Sequence, residues 1–319
     1  MHSILTTVVG LVLLIQGASV LVDGASALAA RCRVPPLVIG LTIVAFGTSM
    51  PELIVNILAS AQGDTGLAVG NVIGSNIANT LLILGIAALI RPLNVADNTV
   101  SKELPLSLLA AFILFVQGND RLLDGSAVSM ISHVDGVVLL CFFVIFIYYL
   151  SGLLKESETA GEEQEAALPP IFRTVVGMAI GVAVLVGGGY MVVFGAVRLA
   201  MLMHVTETLV GLTVVAVGTS LPELATSVVA AHKGNADIAI GNVIGSNIFN
   251  IFFILGVSAI IAPLPFDWFQ SMDTLILFAA GVLLLVCTRS GGRSQINRGV
   301  GGVLVLCYTL YLGYAVLRG

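Results

Sequence analysis

Apolar residues follow one another in long continuous runs, with few polar residues between them. Short segments of alternating hydrophobicity would indicate an outer-membrane β-barrel, whereas a continuous run of about 20 apolar residues predicts a membrane-spanning helix. The approximate limits of the runs are 4–29, 36–61, 67–90, 104–118, 134–154, 172–198, 205–231, 238–262, 272–288 and 299–317. The fourth and ninth runs are short and can extend into their polar flanks. We therefore expect an all-α polytopic membrane protein with ten transmembrane helices.

The composition excludes other classes of protein. Hydrophobic residues make up 58% of the 319 residues and charged residues 10%, and the mean hydropathy is +1.08. A soluble domain has about 25% charged residues, so a soluble globular protein, a disordered chain and a disulfide-knotted module are all excluded. The four cysteines are widely spaced and the four histidines have no metal-binding spacing, which predicts neither a disulfide framework nor a site for a soft metal.

One extended polar segment separates the fifth and sixth runs. Residues 155–170 carry five glutamates and end in two prolines, a composition typical of a solvated linker. This linker divides the chain into a first half, residues 1–154, and a second half, residues 171–319, with five predicted helices each. It is too short to form a regulatory domain.

The basic residues predict the orientation in the membrane. Alternation across ten helices places ten lysines and arginines on one side and three on the other. The side richer in basic residues is cytoplasmic by the positive-inside rule. We therefore expect both termini outside and the acidic linker in the cytoplasm.

The two halves are related to each other in sequence. Shifting the chain by 171 residues aligns residues 40–85 with 211–256 without a gap, and 26 of the 46 positions are identical. Because each half has five helices, an odd number, the second half must lie upside down relative to the first. Inverted-topology repeats are an architecture of secondary transporters, whose substrate site lies where the repeats meet near the membrane midplane.

Two polar motifs interrupt the apolar runs, and each occurs in both halves. GTS-x-PE spans residues 47–52 and 218–223, and GNVIGSNI-x-N spans 70–79 and 241–250. Proline removes a backbone donor and glycine adds backbone freedom, so we expect broken helices 2, 3, 7 and 8. Backbone carbonyls freed at the centre of a bilayer need another partner, and a cation is one such partner.

Glu52 and Glu223 are the decisive residues of these motifs. A carboxylate at the bilayer centre marks a functional site by default, unless a basic residue pairs with it, and none lies at that depth in any run. The neighbouring motif residues are neutral oxygen donors, namely Thr48, Ser49, Ser75, Asn76, Asn79, Thr219, Ser220, Ser246, Asn247 and Asn250. Oxygen ligands suit a hard cation such as Ca²⁺, and no Cys, His or Met cluster favours a soft metal.

Small polar residues also join membrane helices through hydrogen bonds. For Asn71, Asn76, Asn242 and Asn247 the sequence leaves a structural and a functional role equally open. Asn79 and Asn250 each lie four residues beyond a motif serine, on the same helix face. This placement favours a role in the site for both.

The motif GTS-x-PE followed by GNVIGSNI-x-N, in two inverted copies, resembles the alpha-repeats of the calcium/cation antiporter superfamily. The prokaryotic sodium/calcium exchangers are the most similar members, and the resemblance covers the whole chain. It implies an antiporter, not an enzyme, that exchanges Na⁺ for Ca²⁺ by alternating access as helices 1 and 6 slide across the bundle. It further implies a location in the inner membrane of a prokaryote, with inorganic cations and the bilayer as partners and with neither a cofactor nor a nucleic acid. Because one fold unit contains the whole site, we expect a functional monomer.

The resemblance also implies a set of cation ligands. They are Glu52, Glu223, Thr48, Ser49, Thr219, Ser220, Ser75, Ser246, Asn79, Asn250 and the backbone carbonyls of Ala45 and Ala216. Asn250 departs from the pattern, because an archaeal exchanger of this type has an aspartate there. The site therefore contains two carboxylates and not three.

Three other functions compete with Na⁺/Ca²⁺ exchange. A Ca²⁺/H⁺ or other cation/proton antiporter using the same two glutamates is the alternative, although its second motif usually has an acidic residue where this chain has Val-Ile-Gly after Asn71 and Asn242. An intramembrane protease needs HExxH or GxGD, and neither sequence occurs. A channel fits poorly, because an inverted repeat with broken helices favours alternating access.

Overall fold

A computed structural model describes residues 2–123, 125–158, 170–202, 218–289 and 294–318. Nearly all of these residues are helical. The helices are α1 (His2–Cys32), α2 (Pro36–Thr48), α3 (Met50–Gln62), α4 (Thr65–Ile90), α5 (Thr99–Gly118), α6 (His133–Glu158), α7 (Ile171–Leu202), α8 (Leu221–Lys233), α9 (Ala236–Ile261), α10 (Trp268–Arg289) and α11 (Arg298–Arg318). A short helical turn, Asp120–Leu123, follows α5.

The described residues contain eight helices long and apolar enough to cross a membrane, and α2 with α3 can form a ninth, bent span. Most predicted limits lie within a few residues of the observed ones. The short fourth and ninth runs extend into their polar flanks, as expected, to become α5 and α10. The first part of the seventh run, residues 205–217, lies outside the described part of the chain, so the count of ten stays a prediction.

The second span breaks where the GTS-x-PE motif predicts a break. The axes of α2 and α3 differ by 48°, and Ser49 between them has φ −84° and ψ 8°. Pro51, in the first turn of α3, has no N–H to donate to the carbonyl of Gly47 four residues earlier. Ser220 precedes α8 with nearly the same angles, φ −85° and ψ 5°, so the repeated motif has the same local geometry in both halves.

The expected breaks in helices 3 and 8 are wrong. Here α4 and α9 are continuous, and each contains a π-helical segment instead, Ala78–Ile83 and Phe249–Leu255. The second motif contains glycines but no proline, so every residue keeps its backbone donor and the helix widens by one residue without breaking. π-Helical segments often occur at functional sites, and these two contain Asn79 and Asn250.

The helices α4 and α9 form the centre of the protein. In these spans 72% and 78% of the apolar window is buried, against 28% in α1 and in α7. The backbone of α9 packs directly on the first half, since a Cβ added to Gly241 or Gly245 would lie 2.6 Å from the carbonyl oxygen of Leu37 or Leu41. This close approach brings the second motif of one half against the first motif of the other.

The long helices α1 and α7 pack against each other through glycine. A Cβ added to Gly10 would lie 2.8 Å from the carbonyl oxygen of Gly188, and one added to Gly17 would lie 2.8 Å from that of Gly181. These pairs run in opposite directions along the two helices, which are therefore antiparallel. Small residues at such positions allow membrane helices to approach backbone to backbone.

Two short antiparallel strand pairs join loops of the first half to loops of the second. Strand β1 (Leu93–Asn94) pairs with β4 (Gln295–Ile296), and β2 (Met130–Ile131) pairs with β3 (Leu264–Pro265). The first pair connects the loop after α4 to the loop before α11. The second connects the loop before α6 to the loop after α9.

Candidate cation-binding site

Glu52 and Glu223 lie in the first turns of α3 and α8, where each helix begins inside the protein. Their side chains are 0% and 1% exposed. The positive end of a helix dipole favours a carboxylate in this position. The break at GTS-x-PE therefore places one carboxylate from each half at the start of a helix in the protein interior.

Each GTS segment contacts residues of the opposite half. The hydroxyl of Ser49 donates to Glu223 Oε1 at 2.8 Å and lies 3.0 Å from the hydroxyl of Ser246. The hydroxyl of Thr48 donates to Asn242 Oδ1 at 3.0 Å. In the other direction, the hydroxyl of Thr219 donates to Asn71 Oδ1 at 3.4 Å. The repeated motifs thus meet in one polar cluster between the halves.

Glu52 differs from Glu223 in its hydrogen bonding. The hydroxyls of Thr219 and Ser220 lie beside its carboxylate, but neither has the geometry of a hydrogen bond to it, and both carboxylate oxygens lack a partner among the described residues. Glu223 has one such oxygen, Oε2. The two halves therefore share a sequence motif but not a hydrogen-bonding state.

The cluster contains further buried oxygens without a hydrogen-bond partner in the described part of the chain. They are Ser75 Oγ, Ser220 Oγ, Asn79 Oδ1 and Asn250 Oδ1. Buried polar atoms are nearly always hydrogen-bonded, so several orphaned oxygens in one place indicate a position for a ligand. Carboxylate, hydroxyl and amide oxygens are the ligands that Ca²⁺ and other hard cations prefer.

The asparagines of the second motif form bonds between α4 and α9. Asn79 Nδ2 donates to Asn247 Oδ1 at 3.1 Å, and Asn250 Nδ2 donates to Asn76 Oδ1 at 3.0 Å. Asn76 Nδ2 donates to the carbonyl of Asn247 at 3.2 Å, and Asn247 Nδ2 donates to Thr80 Oγ1 at 2.9 Å. Asn76 and Asn247, whose roles the sequence leaves open, thus contact Asn250 and Asn79.

Among the described residues, no basic side chain is buried with the two glutamates. The buried charged side chains of the described residues are Glu52, Glu103, Glu223 and Asp273. Asp273 pairs with Arg318, and Glu103 accepts a hydrogen bond from Tyr149. Within the described ranges no three His, Cys, Asp or Glu side chains form a metal-binding group. A cation here would thus meet two carboxylates and otherwise neutral oxygens.

Of the two backbone carbonyls that the resemblance implies, only that of Ala45 lies in the described residues. The carbonyl of Ala45 accepts hydrogen bonds from the Ser49 N–H at 3.0 Å and the Thr48 hydroxyl at 3.2 Å, and Ala216 lies outside the described residues. The carbonyl that Pro51 leaves without its usual donor belongs to Gly47. The carbonyl of Gly47 is therefore a further candidate ligand for a cation. The signal for it in the sequence is the proline four residues later.

The family model described as "Sodium/calcium exchanger protein" matches residues 2–152 and 173–317. The chain belongs to the sodium/calcium exchanger family. Relatives include the inner membrane protein YrbG of Escherichia coli (strain K12), 39% identical over 96% of this chain and 94% of its own length. The sodium/calcium exchanger MaX1 of Methanosarcina acetivorans is 34% identical over 97% of each chain.

The solved structures of this family include a chain with the same fold. The sodium-calcium exchanger NCX_Mj, soaked with 10 mM Na⁺ and zero Ca²⁺, superposes with a TM-score of 0.83 and 32% identity over 98% of each chain. This exchanger-family protein is thus a membrane-embedded antiporter of cations. The family is one of transporters and not of catalytic enzymes.

Proposed function

We propose that this protein exchanges Na⁺ for Ca²⁺ across the plasma membrane by alternating access, with both ions bound between the two halves. The observation that carries the proposal is the pair of buried carboxylates, Glu52 and Glu223, whose free oxygens face a cluster of neutral oxygens. Both oxygens of Glu52 and Oε2 of Glu223 have no hydrogen-bond partner among the described residues. The two carboxylates thus offer a desolvated cation both negative charge and free oxygens.

The ligands in this proposal come from both repeated motifs and from the alanine two residues before each copy of the first motif. They are Glu52, Glu223, Thr48, Ser49, Thr219, Ser220, Ser75, Ser246, Asn79, Asn250 and the carbonyls of Ala45 and Ala216. Ala216 enters as the repeat counterpart of Ala45. The carbonyl of Ala45 has two lone pairs, so it can bind a cation if the Thr48 hydroxyl turns to its second acceptor, Asn242 Oδ1.

Alternating access in this proposal moves α1 and α7 together across the rest of the bundle. Their glycine contacts are backbone to backbone, so the two helices pack closely on each other and can slide as one part. The antiparallel arrangement of these two helices is also what an inverted repeat requires of equivalent helices. Ten transmembrane helices in two inverted repeats, with both termini outside and a cytoplasmic linker at 155–170, complete the proposal, which takes the monomer as the transporting unit.

The test is ⁴⁵Ca²⁺ uptake into proteoliposomes that contain the purified protein. An outward Na⁺ gradient should drive uptake, and a pH gradient of equal size without Na⁺ should not. The same two glutamates would bind protons in a Ca²⁺/H⁺ antiporter. Uptake driven by the pH gradient alone would replace the Na⁺/Ca²⁺ proposal with that alternative.

A further inference from the structure

The amide groups of Asn79 and Asn250 form hydrogen bonds through their donor ends and leave their oxygens free. Each Nδ2 donates across to the opposite half, to Asn247 Oδ1 at 3.1 Å and to Asn76 Oδ1 at 3.0 Å. Each Oδ1 is buried and has no hydrogen-bond partner among the described residues. An amide binds a cation only through its oxygen, so a rotation of about 180° would abolish its value as a ligand.

We propose that Asn76 and Asn247 are positioning residues that hold the side-chain oxygens of Asn79 and Asn250 toward the transported cation. The inference rests on the cation site proposed above. It adds that the two inner asparagines of the second motif do not bind the ion themselves. Their side-chain oxygens accept a hydrogen bond from the NH₂ group of each ligand amide, which is the group that a cation repels.

The positioning residues are themselves fixed by further bonds. Asn76 Nδ2 donates to the carbonyl oxygen of Asn247. If the Asn76 amide rotated by about 180°, its Oδ1 would face that carbonyl oxygen, and two acceptors would repel each other. Asn247 Nδ2 donates to the hydroxyl of Thr80, and that hydroxyl donates to the carbonyl oxygen of Asn76. These hydrogen bonds link α4 to α9. In the observed orientation, each of the two amides has a donor opposite an acceptor at both ends.

The two halves achieve this orientation differently. The repeat counterpart of Thr80 is Ile251, which has no hydroxyl. Asn247 Nδ2 therefore donates to a side-chain hydroxyl, whereas Asn76 Nδ2 donates to a backbone carbonyl. Removing the Thr80 hydroxyl should release Asn247, and through it Asn79, while the Asn76–Asn250 contact stays in place.

The first experiment is a double-mutant cycle on the KM for Ca²⁺ in Na⁺-loaded proteoliposomes. Asn76→Ala and Asn250→Ala should each raise KM by about tenfold, the range seen when a partner of a metal ligand is removed. The double variant should raise KM no further than the larger single effect, because both changes break the same contact. Asn119→Ala removes a buried amide remote from the site and should leave KM unchanged.

Independent effects that multiply in the double variant would overturn the positioning role. The second experiment covers the case in which the alanine variants fold poorly. Thr80→Val should raise the KM for Ca²⁺ several-fold with little change in kcat, and Thr80→Ser, which keeps the hydroxyl, should restore the wild-type KM. Equal KM values for the two Thr80 variants would contradict the inference.

The wild-type protein separates this inference from the proposed function. If wild-type proteoliposomes show no Na⁺-driven Ca²⁺ uptake, the proposed function is wrong before any variant is compared. If wild-type proteoliposomes show this uptake and the effects of Asn76→Ala and Asn250→Ala on KM are additive in free energy, the proposed function is supported and the positioning role is wrong.

Discussion

At the scale of single residues, the two glutamates share a motif but differ in their contacts. Glu223 accepts a hydrogen bond from Ser49, which also lies 3.0 Å from Ser246. The counterparts of these three residues, Glu52, Ser220 and Ser75, retain free oxygens. A cation can therefore bind at Glu52 without breaking a hydrogen bond, whereas binding at both oxygens of Glu223 requires the Ser49 hydroxyl to turn away.

Replacing either glutamate by glutamine should abolish Ca²⁺ transport. Each change removes half of the fixed charge that compensates the cation for its lost hydration. Glu52→Gln and Glu223→Gln should show background ⁴⁵Ca²⁺ uptake while eluting as folded protein in size-exclusion chromatography. Glu103→Gln is the matched control, because Glu103 is equally buried and its partner Tyr149 can donate to an amide oxygen. Uptake near the wild-type rate in Glu223→Gln would show that the site is misassigned.

The asparagine at position 250 predicts the stoichiometry. Two ionised glutamates carry a charge of about −2, and burying net charge in a medium of low dielectric is costly, so the occluded site should be nearly neutral. One Ca²⁺ or two Na⁺ satisfy this condition. We therefore expect an exchange of two Na⁺ for one Ca²⁺, with a flux equilibrium independent of membrane potential in proteoliposomes clamped with K⁺ and valinomycin.

A shift of that equilibrium by one charge per cycle would instead mean a third Na⁺ held by neutral oxygens. Asn250→Asp supplies a third carboxylate. By the same charge argument it should move the protein toward binding one more monovalent cation, Na⁺ or H⁺.

At the scale of helices, the contact between α1 and α7 depends on individual glycines. A Cβ at Gly188 would lie 2.6 Å from the backbone nitrogen of Leu14, whereas a Cβ at the neighbouring Gly187 would meet no atom of the described residues within 4 Å. Adjacent positions on one helix thus differ in whether they tolerate a single carbon atom.

Gly188→Ala should lower both the thermal stability and the exchange rate. Overpacking of this kind costs about 1–3 kcal/mol, and here the clash is with backbone, which cannot rotate away. Gly187→Ala is the matched control and should be neutral or slightly stabilising, since alanine favours a helix over glycine. The melting temperature in detergent and the initial rate of ⁴⁵Ca²⁺ uptake measure both effects. A Gly188→Ala protein indistinguishable from Gly187→Ala would contradict the close packing.

The helices were largely predictable from the sequence, because about 20 apolar residues are what a bilayer demands of each span. The break at Ser49 was predictable from Pro51, which lacks a donor. The π-helical segments of α4 and α9 were not, because a one-residue widening depends on how the two helices fit together. The two-residue strands were not predictable either, since their pairing joins loops that are far apart in the sequence, Leu93 with Ile296 and Ile131 with Leu264.

The candidate site was predictable as a set of residue types but not as an arrangement. Glu52 and Glu223 stand out because a lone carboxylate is rare in an apolar span. The partners of Asn79 and Asn250 lie in the other half, and repetition of one motif cannot indicate which asparagine contacts the ion and which contacts its neighbour. The difference between the glutamates is likewise invisible in two identical motifs.

At the scale of the whole molecule, the charge asymmetry predicts which side faces the cytoplasm. A cysteine introduced as Ser157→Cys, in a protein without the native cysteines, should resist membrane-impermeant thiol reagents in intact cells. Val128→Cys, an exposed position in the loop before α6, should be labelled rapidly and serves as the control. Labelling at position 157 with protection at position 128 would invert the topology.

The strand pairs divide the molecule mechanically. Strands β1 to β4 join the loops that flank α4, α5, α6, α9, α10 and α11, whereas α1 and α7 lie outside these connections. In a working cycle the joined helices would serve as a fixed frame, and α1 with α7 as the sliding part. The Lys233–Asp23 ion pair, with Nζ 2.7 Å from Oδ1, connects α1 to the last residue of α8, which leads directly into α9 of the frame.

Two engineered cross-links should therefore have opposite consequences. A disulfide between cysteines that replace Asn94 and Gln295, which face each other in the β1–β4 register, would join two parts of the frame and leave turnover intact. Cysteines that replace Asp23 and Lys233, joined by a reducible bifunctional thiol reagent in place of the two side chains, would join α1 to the frame and stop turnover until a reductant is added. Equal sensitivity of the two cross-linked proteins would mean that the whole bundle deforms together, with no stationary part against which α1 moves.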